Sequence, residues 1–129
     1  MAAWIPLDGG HSVDMPVRVG ALSAGDPVEV GVDGVIALTD GGSMFGICAS
    51  DGAVAAVVSI WRGPGRFQAV GAASASNFDR GDHVYSAGSN TIDGGSSTNR
   101  ACGIVVDADP ALAGKCIVDF DPFSTFAHA

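Results

Sequence analysis

The chain has one lysine, Lys115, and one glutamate, Glu29, in 129 residues. Both residue types favour helices, so their scarcity argues for β structure. Six basic residues stand against 14 acids, a formal net charge of −8. Binding phosphates takes clustered Lys and Arg, so nucleic acid is excluded as the expected partner. No stretch approaches ~18 uninterrupted apolar residues, so no transmembrane helix and no membrane partner is expected. Met1-Ala2-Ala3-Trp4-Ile5-Pro6 has neither a basic segment nor an apolar core of the signal-peptide kind, so synthesis in a reducing cytoplasm is expected. Aromatics make up only 7% of a chain that is 47% hydrophobic. Ala, Val and Gly carry the apolar content.

Recognisable chemistry is missing too. Cys48, Cys102 and Cys116 are odd in number and widely spaced, and read as buried reduced thiols; a Cys102–Cys116 bridge has no support. His11, His83 and His128 are scattered and no Cys-x-x-Cys occurs, so no metal or other cofactor is expected. Asp107-x-Asp109 and Asp119-x-Asp121 pair carboxylates outside any calcium-loop pattern, and read as solvated faces. There is no Gly-x-Ser-x-Gly elbow. Gly63-Pro64-Gly65-Arg66 lacks the spacing of a phosphate cradle. Asp82-His83 reads as a turn, because the matching Asp26-Pro27 cannot do acid–base work. The expectation is a protein that is not an enzyme.

What the chain does have is turns and an echo. Asp8, Asp33, Asp40, Asp51 and Asp93 each precede a glycine, and Asp26 and Asp82 each follow one, which is turn chemistry. Gly25-Asp26-Pro27-Val28-Glu29-Val30 reappears as Gly81-Asp82-His83-Val84-Tyr85-Ser86. Phe45-Gly46-Ile47-Cys48 reappears as Cys102-Gly103-Ile104-Val105, and Val57-Val58-Ser59-Ile60 as Ile117-Val118-Asp119-Phe120. The first two pairs are offset by 56 and 57 residues. A Gly- and Val-rich chain also yields weak matches by chance. Taken as a repeat, about 20–62 and 78–121, the pattern implies two β layers covering each other's apolar faces.

Along the chain, residues 1–14 read as an extended N-terminal arm whose Trp4, Ile5, Pro6 and Leu7 dock on a partner, or whose Trp4 folds back on the domain. Residues 15–121 form one β domain. Strands are expected at Met15–Leu22, Val28–Val32 and Val35–Leu38, with Asp33-Gly34 as a two-residue hairpin turn. Further strands follow at Met44–Ala49, in the Ala53–Trp61 run, and at Arg66–Gly71. After the Ala72–Asn77 linker comes the Gly81–Tyr85 strand, then Ser86–Arg100 as a long loop or weak hairpin with little core character. Ala101–Asp107 and Lys115–Asp121 close the domain, separated by one helical turn at Asp109–Gly114. The tail 122–129 carries Phe123 and Phe126, which with Trp61 are candidates for a subunit interface. About nine short strands with almost no helix predict an all-β antiparallel sandwich or small barrel, built from two similar units.

The run Gly81-Asp82-His83-Val84-Tyr85, then a polar hairpin, then Ala101-Cys102-Gly103-Ile104-Val105-Val106, then Gly114-Lys115-Cys116-Ile117-Val118-Asp119-Phe120 resembles the small head-decoration, or cement, proteins of tailed bacteriophages. The likeness covers roughly residues 20–121; the Ser86–Arg100 hairpin and the aromatic tail depart from it. The resemblance implies a virion protein on the exterior of an expanded capsid. Its partner would be the major capsid protein, whose subunits it bridges. It would form a homo-oligomer, most simply a trimer, and use its N-terminal arm for contact. Two other readings of the residues stand beside it. One is a tail or fibre accessory module. The other is a small glycan- or ligand-binding barrel with Trp61, Arg62 and Arg66 at its site.

Overall fold

The computed structural model describes residues 3–7, 9–40, 42–70, 80–94, 102–108 and 115–120. Among them are eleven strands and no helix: β1 (Ile5–Pro6), β2 (Ser12–Pro16), β3 (Pro27–Gly31), β4 (Gly34–Ala37), β5 (Gly46–Cys48), β6 (Val57–Trp61), β7 (Gly65–Val70), β8 (His83–Gly88), β9 (Thr91–Gly94), β10 (Gly103–Ala108) and β11 (Lys115–Phe120). They form two antiparallel sheets, β2-β6-β5-β3-β4 and β1-β7-β11-β10-β8-β9. The fold is all-β, as the composition implies. The helical turn expected at Asp109–Gly114 and the tail with Phe123 and Phe126 lie outside the described residues.

The two sheets are the same unit built twice. Each has a first strand (β2 or β7), a hairpin (β3–β4 or β8–β9), then two strands (β5–β6 or β10–β11), in the same spatial order. Val28 pairs with Gly46 as Val84 pairs with Gly103. Gly25 N–H donates to the Cys48 carbonyl at 2.7 Å, and Gly81 N–H to that of Val105 at 2.8 Å. Both glycines hold positive φ, +93° and +91°, which their lack of a side chain makes easy. Phe45 N–H bonds the Val28 carbonyl and Cys102 N–H that of Val84.

One part of the echo needs correction. Cys48 stands opposite Ile60, and Val105 opposite Val118. Val57–Ile60 therefore corresponds to residues 115–118, two residues earlier than the spelling suggests. A shift of two preserves which side chains point inward, so the hydrophobic pattern cannot detect it.

The units do not simply cover each other. The first sheet closes on itself: Val17, just past β2, bridges Val35 of β4, and Arg18 N–H donates to the Val35 carbonyl at 2.9 Å. Inside lie Val17, Leu22, Val28, Val35, Cys48, Val58 and Ile60. The second sheet surrounds a larger core of Phe67, Ala69, Val84, Ile92, Cys102, Val105, Cys116, Val118 and Phe120. The same core takes in Leu38, Met44, Ile47 and Trp61 from the first unit, and Trp4. Ile47 and Trp61 point outward from their own barrel and plug the second one. Their counterparts by register, Ile104 and Asp119, sit on the outer face, where Asp119 is exposed.

Several boundaries move. The arm is not free: residues 5–6 pair with β7, and β2 begins at Ser12. In Ala53–Trp61 only Val57–Trp61 is strand; Ala53–Ala56 is exposed turn. The first hairpin turns on Val32-Asp33, and Gly34 already pairs with Gly31. The second turns on Ser89-Asn90, both left-handed at φ +51° and +56°, the pattern of a type I′ turn. The described part of the Ser86–Arg100 stretch, residues 86–94, therefore has more core character than expected: Ser86, Asn90 and Ile92 are buried.

Gly46 and Gly103 occupy equivalent points where the next strand passes close. A Cβ on Gly46 would strike the Trp61 carbonyl oxygen, and one on Gly103 that of Asp119. Gly46→Ala and Gly103→Ala should each lower stability to urea by about 1–3 kcal/mol, the usual cost of overpacking. Gly9→Ala, with nothing within 4 Å of the added methyl, should stay within ~0.5 kcal/mol.

Candidate functional site

The N-terminal segment is a strap across both units. Trp4 is 1% exposed and stacks on Phe67, ring centroids 5.3 Å apart and 13° from parallel. Its backbone N–H donates to the Gly25 carbonyl in the first unit at 2.8 Å. Its indole N–H donates to the Asn90 carbonyl in the second, also at 2.8 Å. Further along, Leu7 N–H bonds the Arg66 carbonyl, His11 N–H the Gly63 carbonyl, and Arg62 N–H the His11 carbonyl. Trp4 is therefore a core residue and not a contact offered to a partner. An apolar ring with one buried donor is more stable stacked and hydrogen-bonded inside than left in water.

Trp61 is placed in the same way. Its ring lies 6.3 Å from Phe67 and 5.9 Å from Phe120, and its indole N–H donates to the Gly9 carbonyl at 2.8 Å. Its side chain is buried within the chain and is no exposed platform for a sugar. Arg62 turns away from it, its guanidinium 3.8 Å above the Phe45 ring and its Nε donating to the Phe45 carbonyl at 3.0 Å. Burial lowers its pKa. Arg66 is exposed on β7, opposite Asp119. Trp61, Arg62 and Arg66 thus do not converge on one site.

A polar latch that sequence reasoning missed joins the units. The Asn90 side-chain amide donates to Asp26 Oδ1 at 2.8 Å, and Asp26 Oδ2 accepts from Ser23 N–H at 2.9 Å. Both Asp26 and Asn90 are buried. Ser86 Oγ adds a bond to the Thr39 carbonyl at 2.7 Å. The tip of the second hairpin is thereby tied to the Gly25-Asp26 turn of the first unit. The signal available in the sequence was Ser89-Asn90 between Tyr85 and Ile92, a hairpin turn with an asparagine suited to left-handed backbone.

Among the described residues, no three His, Cys, Asp or Glu stand together as a metal site. Asp107 meets Arg80 at 3.6 Å on the exposed surface, a pair worth little. The three cysteines are free and buried. Burial pushes the Cys102 thiol up to about 12 and Cys116 to about 11. Burial also raises Cys48, against a hydrogen bond to the Ser50 carbonyl and with help from Asp26 and Asp51.

What the surface offers is apolar contact in two places. On the second sheet, Ile5 and Leu7 are 48% and 49% exposed, with Pro6 between them. Pro6 has no N–H, so this edge is a poor template for an added strand and any contact there is through side chains. On the first barrel, Val19, Val32, Val54 and Val57 are all more than half exposed.

Trp4→Ala should cost about 3–5 kcal/mol in urea unfolding, the range for emptying a buried aromatic site. Deleting residues 1–10 should do at least as much, so it would not separate binding from folding. A thiol reagent at pH 7 should leave all three cysteines unmodified until the chain is unfolded. The usual thiol pKa is 9.0, and Cys102 and Cys116 keep their protons above it only while folded. The stability they contribute is complete below pH 9.0 and is lost as pH climbs towards about 11–12. The urea midpoint should therefore fall above pH 9.0, and less steeply in a Cys102→Ala/Cys116→Ala variant.

A comparison with curated proteins finds no match. A family model described as phage cement protein matches residues 7–120, from Leu7, just past β1, to the last residue of β11. The match spans both β units, and the chain belongs to the phage cement protein family, whose role is structural stabilisation of a capsid.

Proposed function

We propose that this chain binds the outer surface of an expanded phage capsid and strengthens it by bridging neighbouring major capsid subunits. The observation that carries the reading is the family match over residues 7–120, which takes in both units. The physical logic agrees with it. A cement must transmit load between the subunits it touches, and two β units locked by shared aromatics make a stiff body for that. Once one contact is made, the next is intramolecular, so modest affinities suffice. A protein that binds only the expanded shell stabilises that state by mass action. No catalytic role is part of this reading.

Bridging needs at least two contact surfaces per assembly. Ile5, Pro6 and Leu7 are exposed apolar residues of the N-terminal segment, and in this reading they touch the shell. Self-association into a trimer at local threefold positions would multiply such contacts. The chain would be made in the host cytoplasm and end on the virion exterior. Its net charge of −8 would discourage coated particles from adhering to each other.

The test is co-sedimentation with empty heads of the virus that encodes the chain, expanded and unexpanded. Saturable binding to expanded heads, with a higher temperature of head disruption, is the expected result. Equal binding to unexpanded heads would overturn the preference for the expanded state. Ile5→Asp/Leu7→Asp should weaken binding by about tenfold or more, a loss of about 1.4 kcal/mol, with an unchanged melting temperature. Unchanged binding by that variant would remove the N-terminal contact.

A further inference from the structure

Four valines are exposed at one end of the first barrel, and they converge on the Pro16–Val19 segment. Val57 stands opposite Pro16 across β2 and β6. Val19 lies two residues beyond the bridge from Val17 to Val35. Val32 forms the tip of the hairpin whose Gly31 lies beside the Arg18 guanidinium and whose Gly34 abuts the Pro16 carbonyl. Val54 sits in the turn where Ala55 N–H donates to the Val17 carbonyl, and Val17 N–H to that of Ala56, both at 2.8 Å. Exposures are 64% for Val19, 100% for Val32, 55% for Val54 and 66% for Val57. Valines scattered singly over a surface would mean nothing, but exposed apolar side chains gathered around one segment mark a contact site.

Two further observations separate this end from the rest of the molecule. Residues 16–21, 31–34 and 53–57 contain one arginine, Arg18, and one aspartate, Asp33, and so carry no net charge in a chain of −8. Exposed Asp14 and Asp51 flank these segments, so the end is less acidic than the chain as a whole. The Ala53–Ala56 turn is also held in a costly shape. Ala55 lies at φ +72°, where glycine would be unstrained, so the turn keeps a methyl at the surface against its backbone preference.

We propose that the Val19, Val32, Val54 and Val57 end of the first barrel is a second surface that seats on the capsid shell, beside the Ile5–Leu7 contact, against a weakly apolar, uncharged patch of the major capsid protein. The assignment rests on the capsid-binding function proposed above. The size of the patch selects the shell over a second free copy. Four valines supply on the order of a few hundred Å², well short of the ~800 Å² per partner of a stable free-standing interface. Such a contact is too small to hold two molecules in solution. It suits a lattice, where each attachment raises the effective concentration of the next.

The experiment uses the full chain, with expanded empty heads of the encoding virus as the probe. Val54→Asp/Val57→Asp puts two charges into the contact and should weaken head binding at least about tenfold. Its melting temperature and its sedimentation velocity in free solution should match the wild type. Ser12→Asp, on the exposed part of β2, controls for added negative charge. If Val54→Asp/Val57→Asp melts early, Val32→Asp at the fully exposed hairpin tip replaces it. Loss of binding in the valine variants alone supports the proposal. Wild-type binding that survives in the valine variants, or falls equally in Ser12→Asp, overturns it while leaving the capsid function intact. A change in the variant's sedimentation velocity with head binding retained gives the end to a second copy, and also overturns it. Failure of the wild type to bind heads removes the capsid function and this assignment together.

Discussion

The second β unit does not fill its core from its own residues, and much of the architecture follows from that shortage. Its sheet supplies Phe67 and Phe120 but leaves one side to be covered. Trp61 and Ile47 from the outer wall of the first barrel enter from that side, and Trp4 enters from the N-terminal strap. The four rings then pack in stacked and edge-on pairs with centroids 5.3 to 6.3 Å apart. Each such pair adds about 0.5–1.5 kcal/mol beyond area burial. Removing any one ring exposes the others, so the two units are expected to unfold together.

The same shortage explains why two copies of one unit have diverged. By register Trp61 corresponds to Asp119, and Ile47 to Ile104. In the first unit these outward positions are apolar because they are covered. In the second, Asp119 faces solvent and is charged. The polar latch from Asn90 to Asp26 follows the same geometry. It satisfies a buried carboxylate and a buried amide at once, and so fixes how the hairpin tip meets the first unit without leaving an unpaired group.

A body locked in this way has consequences for a capsid-stabilising protein. Stiffness resides in the shared core, and in the proposed reading adhesion falls to side chains the core does not use. Trp4, just before β1, is buried, while Ile5, Pro6 and Leu7 beside it are exposed. Trp4 anchors the strap inward, while its neighbours stay half exposed.

Local chemistry reads well from a linear sequence, and this chain shows how far that goes. The scarcity of Lys and Glu, the Asp-Gly turns and the alternating valines determined an all-β fold. The repeated Gly-Asp and Gly-Ile phrases determined two equivalent units, because each phrase is a turn or close approach that needs glycine wherever it occurs. The first two phrases aligned correctly. The third did not, because a two-residue slip leaves the inward pattern unchanged. Whether Trp4 and Trp61 face a partner or a core was undecided by their neighbours in sequence. Only the tertiary structure placed them, because the rings they pack on, Phe67 and Phe120, belong to the second unit, while Trp61 belongs to the first and Trp4 to the strap. Asn90 looked like loop, and is buried only because Asp26 meets it across 64 residues. Turns and alternation are properties of a few adjacent residues. Burial depends on which distant surfaces come together, and that was decided by the open core of the second unit.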